Sequence, residues 1–379
     1  MIPFTKPTLD EATISAVGDV LRSGWITSGP KVLELENELS KMFGNRPVKC
    51  FANGTATMEI GLRIAGVGPG DEVITTPISW VSTSNVILAV GAKPVFVDID
   101  PVTHNIDLNL VEKAITPQTK AIMPVYLAGL PVNLDELYSL AKKFNLRVVE
   151  DAAQAMGSRW KNELIGSSFG HRSDLVSFSF QANKNMTSIE GGCLVMNTPE
   201  EATLAQKLRI QGVTRSGLDG MEVDVLGGKH NLTDVNAVIG IHQLKQLAEF
   251  QIKRIALAHE YFSQLRNTRL IEWGLELPPH NFSDTNWHMF QVVLPLASLK
   301  ITRSNIMQDL KDLGIGTGVH YPIISDFKLY RDLGYQSDET PIAQRIGKSI
   351  LTLPLFPTLT FNEVSLIVKS LESSFKKYL

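Results

Sequence analysis

The sequence predicts an α/β protein in two parts: a large domain on a mixed, mainly parallel sheet flanked by helices, then a smaller α+β domain. Three observations carry this. The chain has 379 residues, more than one ordinary hydrophobic core accommodates. Between residues 48 and 250, short apolar runs of β-forming residues alternate with helical spacings, the pattern of βαβ units. After about residue 265 that alternation gives way to separated strands and helices. The expected domains are 1–250 and 251–379.

The first element, over residues 8–22, places Leu9, Ile14, Val17, Val20 and Leu21 at helical spacing. Ser23 to Pro30 breaks the pattern, and a second amphipathic helix is predicted from Lys31 to Met42. Strands are predicted at Glu72–Thr75, Lys93–Val97, Thr119–Val125, Leu146–Val149, Leu175–Phe180 and Cys193–Met196. Between them, helices are predicted at Ala56–Ala65, Ser82–Val90, Leu108–Ala114, Leu134–Phe144 and Pro199–Ile210. Asn236–Leu265 reads as a long helix or a helix pair. Beyond it come a strand at Met289–Leu294 and helices at Arg303–Leu313 and Phe361–Lys377. In such sheets ligands bind beyond the carboxyl ends of the strands.

Charge and composition exclude several functions. With 36 Lys and Arg against 39 Asp and Glu, the net charge is −3, which offers no basic field for nucleic acid or an anionic lipid surface. An anionic ligand must then be met by local groups. The two cysteines, Cys50 and Cys193, cannot build a disulfide framework and lack metal-ligand spacing, as in a reducing compartment. Cys193 reads as a small buried hydrophobe. The segment from Met1 to Pro7 has no basic start before an apolar stretch, and no run reaches the ~20 apolar residues of a membrane span. The expectation is a cytoplasmic protein without membrane insertion.

The chemistry concentrates around Lys184. It lies on a short polar segment, Gln181-Ala182-Asn183-Lys184-Asn185, that leads to Gly191-Gly192. Upstream, the apolar run Val148-Val149 closes on Glu150-Asp151-Ala152-Ala153-Gln154. An amine on such a segment, with a carboxylate at the end of a buried run, is the pair a pyridoxal phosphate site requires. The amine forms a Schiff base with the cofactor aldehyde, and the acid keeps the pyridine nitrogen protonated so that the ring accepts electrons.

A phosphate site is predicted where Asn53-Gly54-Thr55-Ala56 follows the apolar run Val48–Ala52 and opens a helix. Free N–H groups and the helix dipole favour an anion there, and Gly54 lets it approach the backbone. The alternative is that Thr55 only caps the helix. Ser179 could add a hydroxyl to the same phosphate, and Trp80 could stack on a flat ring or serve as core.

Together these segments resemble the sugar aminotransferases of the DegT/DnrJ/StrS type, within the aspartate aminotransferase fold (fold type I). The resemblance runs through Ser23–Pro30, Gly68–Ile74, Pro94–Asp100, Glu150–Gln154, the lysine segment, His230–Ala237 and Leu353–Pro357. It implies that Lys184 is the Schiff-base lysine and proton carrier and that Asp151 partners the pyridine nitrogen. By the same resemblance Gln154 meets the ring's phenolic oxygen, and Gly54, Thr55 and Ser179 hold the phosphate. Trp80 takes the stacking position. Asn231 matches an Asn that reaches the phosphate from the neighbouring subunit, which implies a homodimer with shared active sites. The implied amino donor is glutamate, released as 2-oxoglutarate, and the acceptor is a nucleotide-linked keto sugar.

Two positions depart from the family's habit. Gln181 stands where related sequences commonly carry His, and Thr187-Ser188-Ile189-Glu190-Gly191-Gly192 replaces endings such as Thr-Gly-Glu-Gly-Gly. Both bear on the substrate pocket rather than on the amine. Candidate substrate contacts are Trp25, Lys229, His230, His320 and Tyr321. The Gly-rich segment Gly314–Pro322 carries His320 and Tyr321 near its end, and His320 either meets a diphosphate or sugar hydroxyl or sits partly buried in a turn. His288 reads as structural, and His104, His171, His242, His259 and His280 show no metal-ligand pairing.

Several segments look closest to the branch that makes UDP-4-amino-4-deoxy-L-arabinose, so a UDP-4-keto sugar is the leading acceptor, serving polysaccharide, glycan or lipid A modification. A dTDP- or GDP-4-keto-6-deoxyhexose is the alternative. The dehydratase branch of the fold replaces the lysine by His, and a non-catalytic regulatory relative would not need the full set of site residues. Lys184 argues against the first, and the full set Lys184, Asp151, Gln154, Thr55 and Ser179 argues against the second.

Overall fold

A computed structural model describes residues 1–168 and 174–379; His171 lies outside them. The chain opens with two helices, α1 (Glu11–Ser23) and α2 (Pro30–Met42), and then enters alternating strands and helices. These are β1 (Val48–Phe51), α3 (Gly54–Ile64), β2 (Glu72–Thr75), α4 (Ser82–Ala89), β3 (Lys93–Phe96), α5 (Leu108–Ala114) and β4 (Thr119–Met123). There follow α6 (Leu134–Phe144), β5 (Arg147–Asp151), a short hairpin β6 (Arg159–Trp160) and β7 (Glu163–Leu164), β8 (Leu175–Ser179) and β9 (Gly192–Val195). Next come α7 (Pro199–Arg209), the hairpin β10 (Val213–Ser216) and β11 (Gly220–Val223), and α8 (Asp234–Arg266). The last third carries β12 (Phe290–Val293), α9 (Leu296–Leu299), α10 (Arg303–Asp312), α11 (Lys328–Asp332), α12 (Pro341–Ser349), β13 (Ile350–Leu353) and α13 (Phe361–Lys376).

Seven strands form the main sheet in the order β1-β9-β8-β5-β4-β2-β3. The pairs β2–β3, β2–β4, β4–β5 and β5–β8 are parallel, while β9 runs antiparallel to β8 and β1. The sheet is therefore mixed and mainly parallel, covered on both faces. Neighbouring residues of one strand point to opposite cores: Val148 and Val176 join one cluster, Val149 and Leu175 the other. Cys50 and Cys193 are buried register partners across β1 and β9, packed as small apolar side chains.

Asn236–Leu265 is part of one continuous helix, α8, capped by Thr233 on the N–H of Asn236. Its first half gives Ile241 and Leu247 to the sheet core, and its second half gives Leu257, Tyr261 and Leu265 to a separate core with β12, β13, α10 and α13. Ile2 also belongs to that second core, where its N–H and C=O bond to Gly314 and Gly316. A smaller cluster joins Ile78, Ile99 and Leu127 to Tyr321, Ile323 and Ile346, fixing the C-terminal part over the strand ends. No helix among the described residues is long and apolar enough to cross a membrane.

Candidate active site

The parallel strands β1, β5 and β8 run in one direction and end at Phe51, Asp151 and Ser179, so their following residues gather at one edge. A cavity of about 430 Å³ opens there, within the usual size of small-ligand sites. Of the residues singled out in the sequence, Gly54, Thr55, Trp80, Asp151, Gln154, Ser179, Lys184, His320 and Tyr321 line it.

Gly54 begins α3, and the local packing demands a glycine. A Cβ there would lie 2.8 Å from Cβ of Ser179 and 3.3 Å from its Cα, so the helix start and the end of β8 approach closely. The cap of α3 is Asn53, whose Oδ1 accepts from the N–H of Ala56 at 2.8 Å. Thr55 does not fill the capping role that the sequence left open, and its side chain is exposed at the cavity. Ser179 Oγ accepts from the N–H of Gln181 at 3.3 Å. Backbone donors of an 11-residue helix and two hydroxyls thus face one corner, which suits a phosphate.

Asp151 is only 5 % exposed. Its Oδ2 accepts from Thr83 Oγ1 at 2.7 Å and its Oδ1 from the N–H of Ala153 at 3.2 Å. Burial raises its carboxyl above the ordinary range, and these two hydrogen bonds oppose the shift. Lys184 follows a turn closed by its own N–H to the Gln181 carbonyl at 2.9 Å. Burial pushes its ammonium down to about 8, with Asp151 and Glu190 pulling the other way. No carboxylate lies within ion-pair distance of Lys184 among the described residues, so the amine is held partly desolvated and without a neutralising contact.

Gln154 accepts from the N–H of Ala128 at 2.7 Å and donates from Nε2 to the Tyr321 hydroxyl at 3.0 Å. Trp80 is 61 % exposed at the cavity, its ring 6.1 Å from that of Tyr321. His320 is half-buried, stacked on Phe4 at 5.1 Å, with Nδ1 3.0 Å from Thr352 Oγ1. Burial, then Lys184, pushes it down to about 4, so its imidazole is neutral near pH 7.

Trp25, Lys229, His230 and Asn231 are not among the residues lining this cavity. They gather around the α1–α2 connection instead. Asn231 Nδ2 donates to Ser28 Oγ at 2.6 Å, Lys229 Nζ donates to Asn231 Oδ1 at 2.5 Å, and Trp25 Nε1 donates to the Ser28 carbonyl at 3.3 Å. His230 holds β1 through its carbonyl, which accepts from Ala52 N–H at 2.7 Å. The structure also brings in Ser79, Thr83 and Glu190, which sequence reasoning passed over. Their only signal was position near Trp80 and Lys184. Among the described residues no cluster of His, Cys, Asp and Glu is placed to hold a metal ion.

Known proteins share this architecture. Residues 7–372 match the DegT/DnrJ/EryC1/StrS aminotransferase family. Spr1654 of Streptococcus pneumoniae, assigned as a sugar aminotransferase and solved in its PMP-form, is 33 % identical over 100 % of both chains with a TM-score of 0.92. Helicobacter pylori PseC, an aminotransferase involved in the biosynthesis of pseudoaminic acid, is 27 % identical over 100 % of both chains, also with a TM-score of 0.92. S. venezuelae DesV, solved with a ketimine intermediate, is 30 % identical over 96 % of this chain and 94 % of its own, with a TM-score of 0.88. Spr1654 has also been solved in a PLP-form. With nearly the whole chain inside that match and a neighbour solved with both forms of one cofactor, the chain belongs to the DegT/DnrJ/EryC1/StrS aminotransferase family, of PLP fold type I, and its cofactor is pyridoxal phosphate.

Proposed function

We propose that this sugar aminotransferase moves the amino group of glutamate to a nucleotide-linked keto sugar, with Lys184 as the reacting amine and Asp151 as the group that sets the cofactor's electronics. The observation that carries this reading is the pairing of a desolvated lysine with a buried carboxylate on one cavity that also holds a helix start. The cavity residues fit the cofactor: a Cβ at Gly54 would collide with Ser179 beside the phosphate corner, and the partners of Asp151 are the Thr83 hydroxyl and the Ala153 N–H rather than a cation.

When bound, pyridoxal phosphate supplies an aldehyde that carries nitrogen and a ring that accepts electron density. The chain's residues do the rest. The α3 N–H groups, Thr55 and Ser179 bind the phosphate, Trp80 covers the ring plane, and Gln154 donates toward the phenolic oxygen. Asp151 holds the proton on the ring nitrogen through its negative charge. Lys184 Nζ takes the α-proton of the donor in one half of the exchange. In the other half it delivers a proton to the sugar carbon that receives the nitrogen. One group serves as base and acid in turn, and an amine near pKa 8 suits both duties at neutral pH.

Trp25, Lys229, His230 and Asn231 form a coherent polar cluster apart from the cavity, and a homodimer that presents it to the neighbouring cavity gives it a use. His320 and Tyr321 at the cavity wall are the contacts proposed for the sugar nucleotide. A UDP-4-keto sugar is the acceptor we favour, with dTDP- and GDP-4-keto-6-deoxyhexoses as competitors. Holoenzyme with glutamate should convert one class within a panel of UDP-, dTDP- and GDP-keto sugars to amino sugars, read by mass. Conversion of free keto sugars alone would refute the nucleotide requirement.

A further inference from the structure

The lysine segment is anchored from below by a residue that the proposed mechanism does not use. His288 is 4 % exposed, and its Nδ1 lies 2.9 Å from Asn185 Oδ1. The Asn185 amide is oriented by its other end, since Nδ2 donates to the Asn286 carbonyl at 3.2 Å. Asn185 therefore presents an acceptor, the hydrogen of the neutral ring sits on Nδ1, and Nε2 carries a lone pair. Burial, reinforced by Lys184 and Arg254, holds His288 well below the ordinary histidine range and keeps it in this neutral form.

Nε2 of His288 is buried without a hydrogen-bond partner, and so is Oδ1 of Asn183. Both residues border the same small cavity of about 10 Å³, which Phe4, Thr5, Thr352 and Leu353 also line. That volume suits one water centre. Two buried acceptors on residues that border one such space call for a donor of two hydrogens, because a buried acceptor left unsatisfied is destabilising. Water is the smallest molecule that serves both. A flipped Asn183 amide is served equally well, by one donated and one accepted hydrogen bond.

We propose that His288 is a positioning residue for Lys184: its ring is tied directly to Asn185 and, through one buried water, to Asn183, so that both neighbours of the lysine are fixed to a single imidazole. The inference rests on the reading of Lys184 given above. The clasp acts on the backbone at residues 183 and 185 and so sets where Nζ is aimed, while the N-terminal segment at Phe4 and Thr5 roofs the water site. Displacing a reacting group by about 1 Å is enough to slow a reaction about a hundredfold, and a smaller displacement costs less.

The test compares wild type with Asn183→Ala, His288→Asn and the double variant as pyridoxal phosphate holoenzymes. His288→Asn keeps a donor near the Nδ1 position and loses Nε2. The single-turnover rate of glutamate-driven bleaching, per bound cofactor, should fall about tenfold in each single variant with the glutamate half-saturation changed less than about twofold. The double variant should be no slower than the slower single, because both cut the same tie. A wild-type crystal structure should show one water within hydrogen-bond distance of His288 Nε2 and the Asn183 amide. Unchanged rates in folded variants, full additivity, or an absent water in the crystal would each overturn the clasp. If His288→Asn does not fold, Asn183→Ala and the crystal structure decide alone. A wild type that glutamate does not bleach refutes instead the reading of Lys184, and the water in the crystal tests the site independently of that reading.

Discussion

Thr83 Oγ1 donates a 2.7 Å hydrogen bond to Asp151 Oδ2, so a hydroxyl on the first turn of α4 supports the carboxylate that ends β5. Since the Thr83 proton is committed there, Ser79 Oγ, 2.7 Å from Thr83 Oγ1, donates to it and extends the chain to the cavity. The hydrogen bonds from Thr83 and from the N–H of Ala153 favour ionised Asp151 against the effect of its burial. A hydrogen bond to a charged group is worth about 1.5–3 kcal/mol. Thr83→Val should raise the Asp151 carboxyl further and slow glutamate-driven bleaching by about tenfold or more, measured by stopped flow. Asp151→Asn should slow it more than that. An unchanged rate in Thr83→Val would show that Ala153 N–H alone suffices.

Ile189 adopts φ +70°, a left-handed conformation that a β-branched residue rarely takes, and it is 50 % exposed. Ile189→Gly should remove strain worth about 1 kcal/mol and raise the thermal midpoint of the apoenzyme, read by calorimetry. A lowered midpoint would mean that the Ile189 side chain contributes packing that outweighs the strain.

The lowered pKa of Lys184 predicts how cofactor capture depends on pH. The amine reacts when neutral, so the rate at which apoenzyme acquires the visible band of bound cofactor should rise with pH and level off above about 8. A rise of about tenfold per pH unit continuing to pH 10 would indicate an amine near its ordinary value. The stability consequence has a definite sign. The folded value, about 8, lies below the ordinary 10.5, so this contribution to apoenzyme stability is complete above 10.5 and is lost as pH falls through about 8.

The polar cluster of Trp25, Lys229 and Asn231 predicts complementation. If Asn231 serves the neighbouring cavity, Asn231→Ala lowers cofactor affinity, and mixing it with Lys184→Ala chains restores some activity. In a mixed dimer one site carries neither defect, so up to about half of the sites in such dimers recover. Mixed dimers with no activity, from single variants that are inactive alone, would contradict a shared site, as would a fully active monomer.

Much of the site was legible because it depends on short-range patterns. Asp151 ends a buried run, Gly54 opens a helix, and Lys184 precedes a glycine pair, each readable without the fold. Thr83 and His288 were not legible in this sense. Thr83 meets Asp151 across 68 positions and His288 meets Asn185 across 103, and no local spacing reports such contacts. The sequence likewise shows the sheet's alternation, but not the short hairpins β6–β7 and β10–β11, whose strands of 2 and 4 residues carry little periodicity. The continuity of α8 was open because its apolar face serves one core in its first half and another in its second.

Lys184 is proposed as the amine that carries the cofactor, and one chemical experiment tests this directly. Reducing the yellow holoenzyme with borohydride fixes pyridoxal phosphate to whichever lysine holds it, and digestion with mass mapping locates that residue. The expected result is a single modified peptide containing Lys184, and no covalent attachment in Lys184→Ala under the same treatment. Attachment at another lysine, or equal labelling of Lys184→Ala, would contradict it.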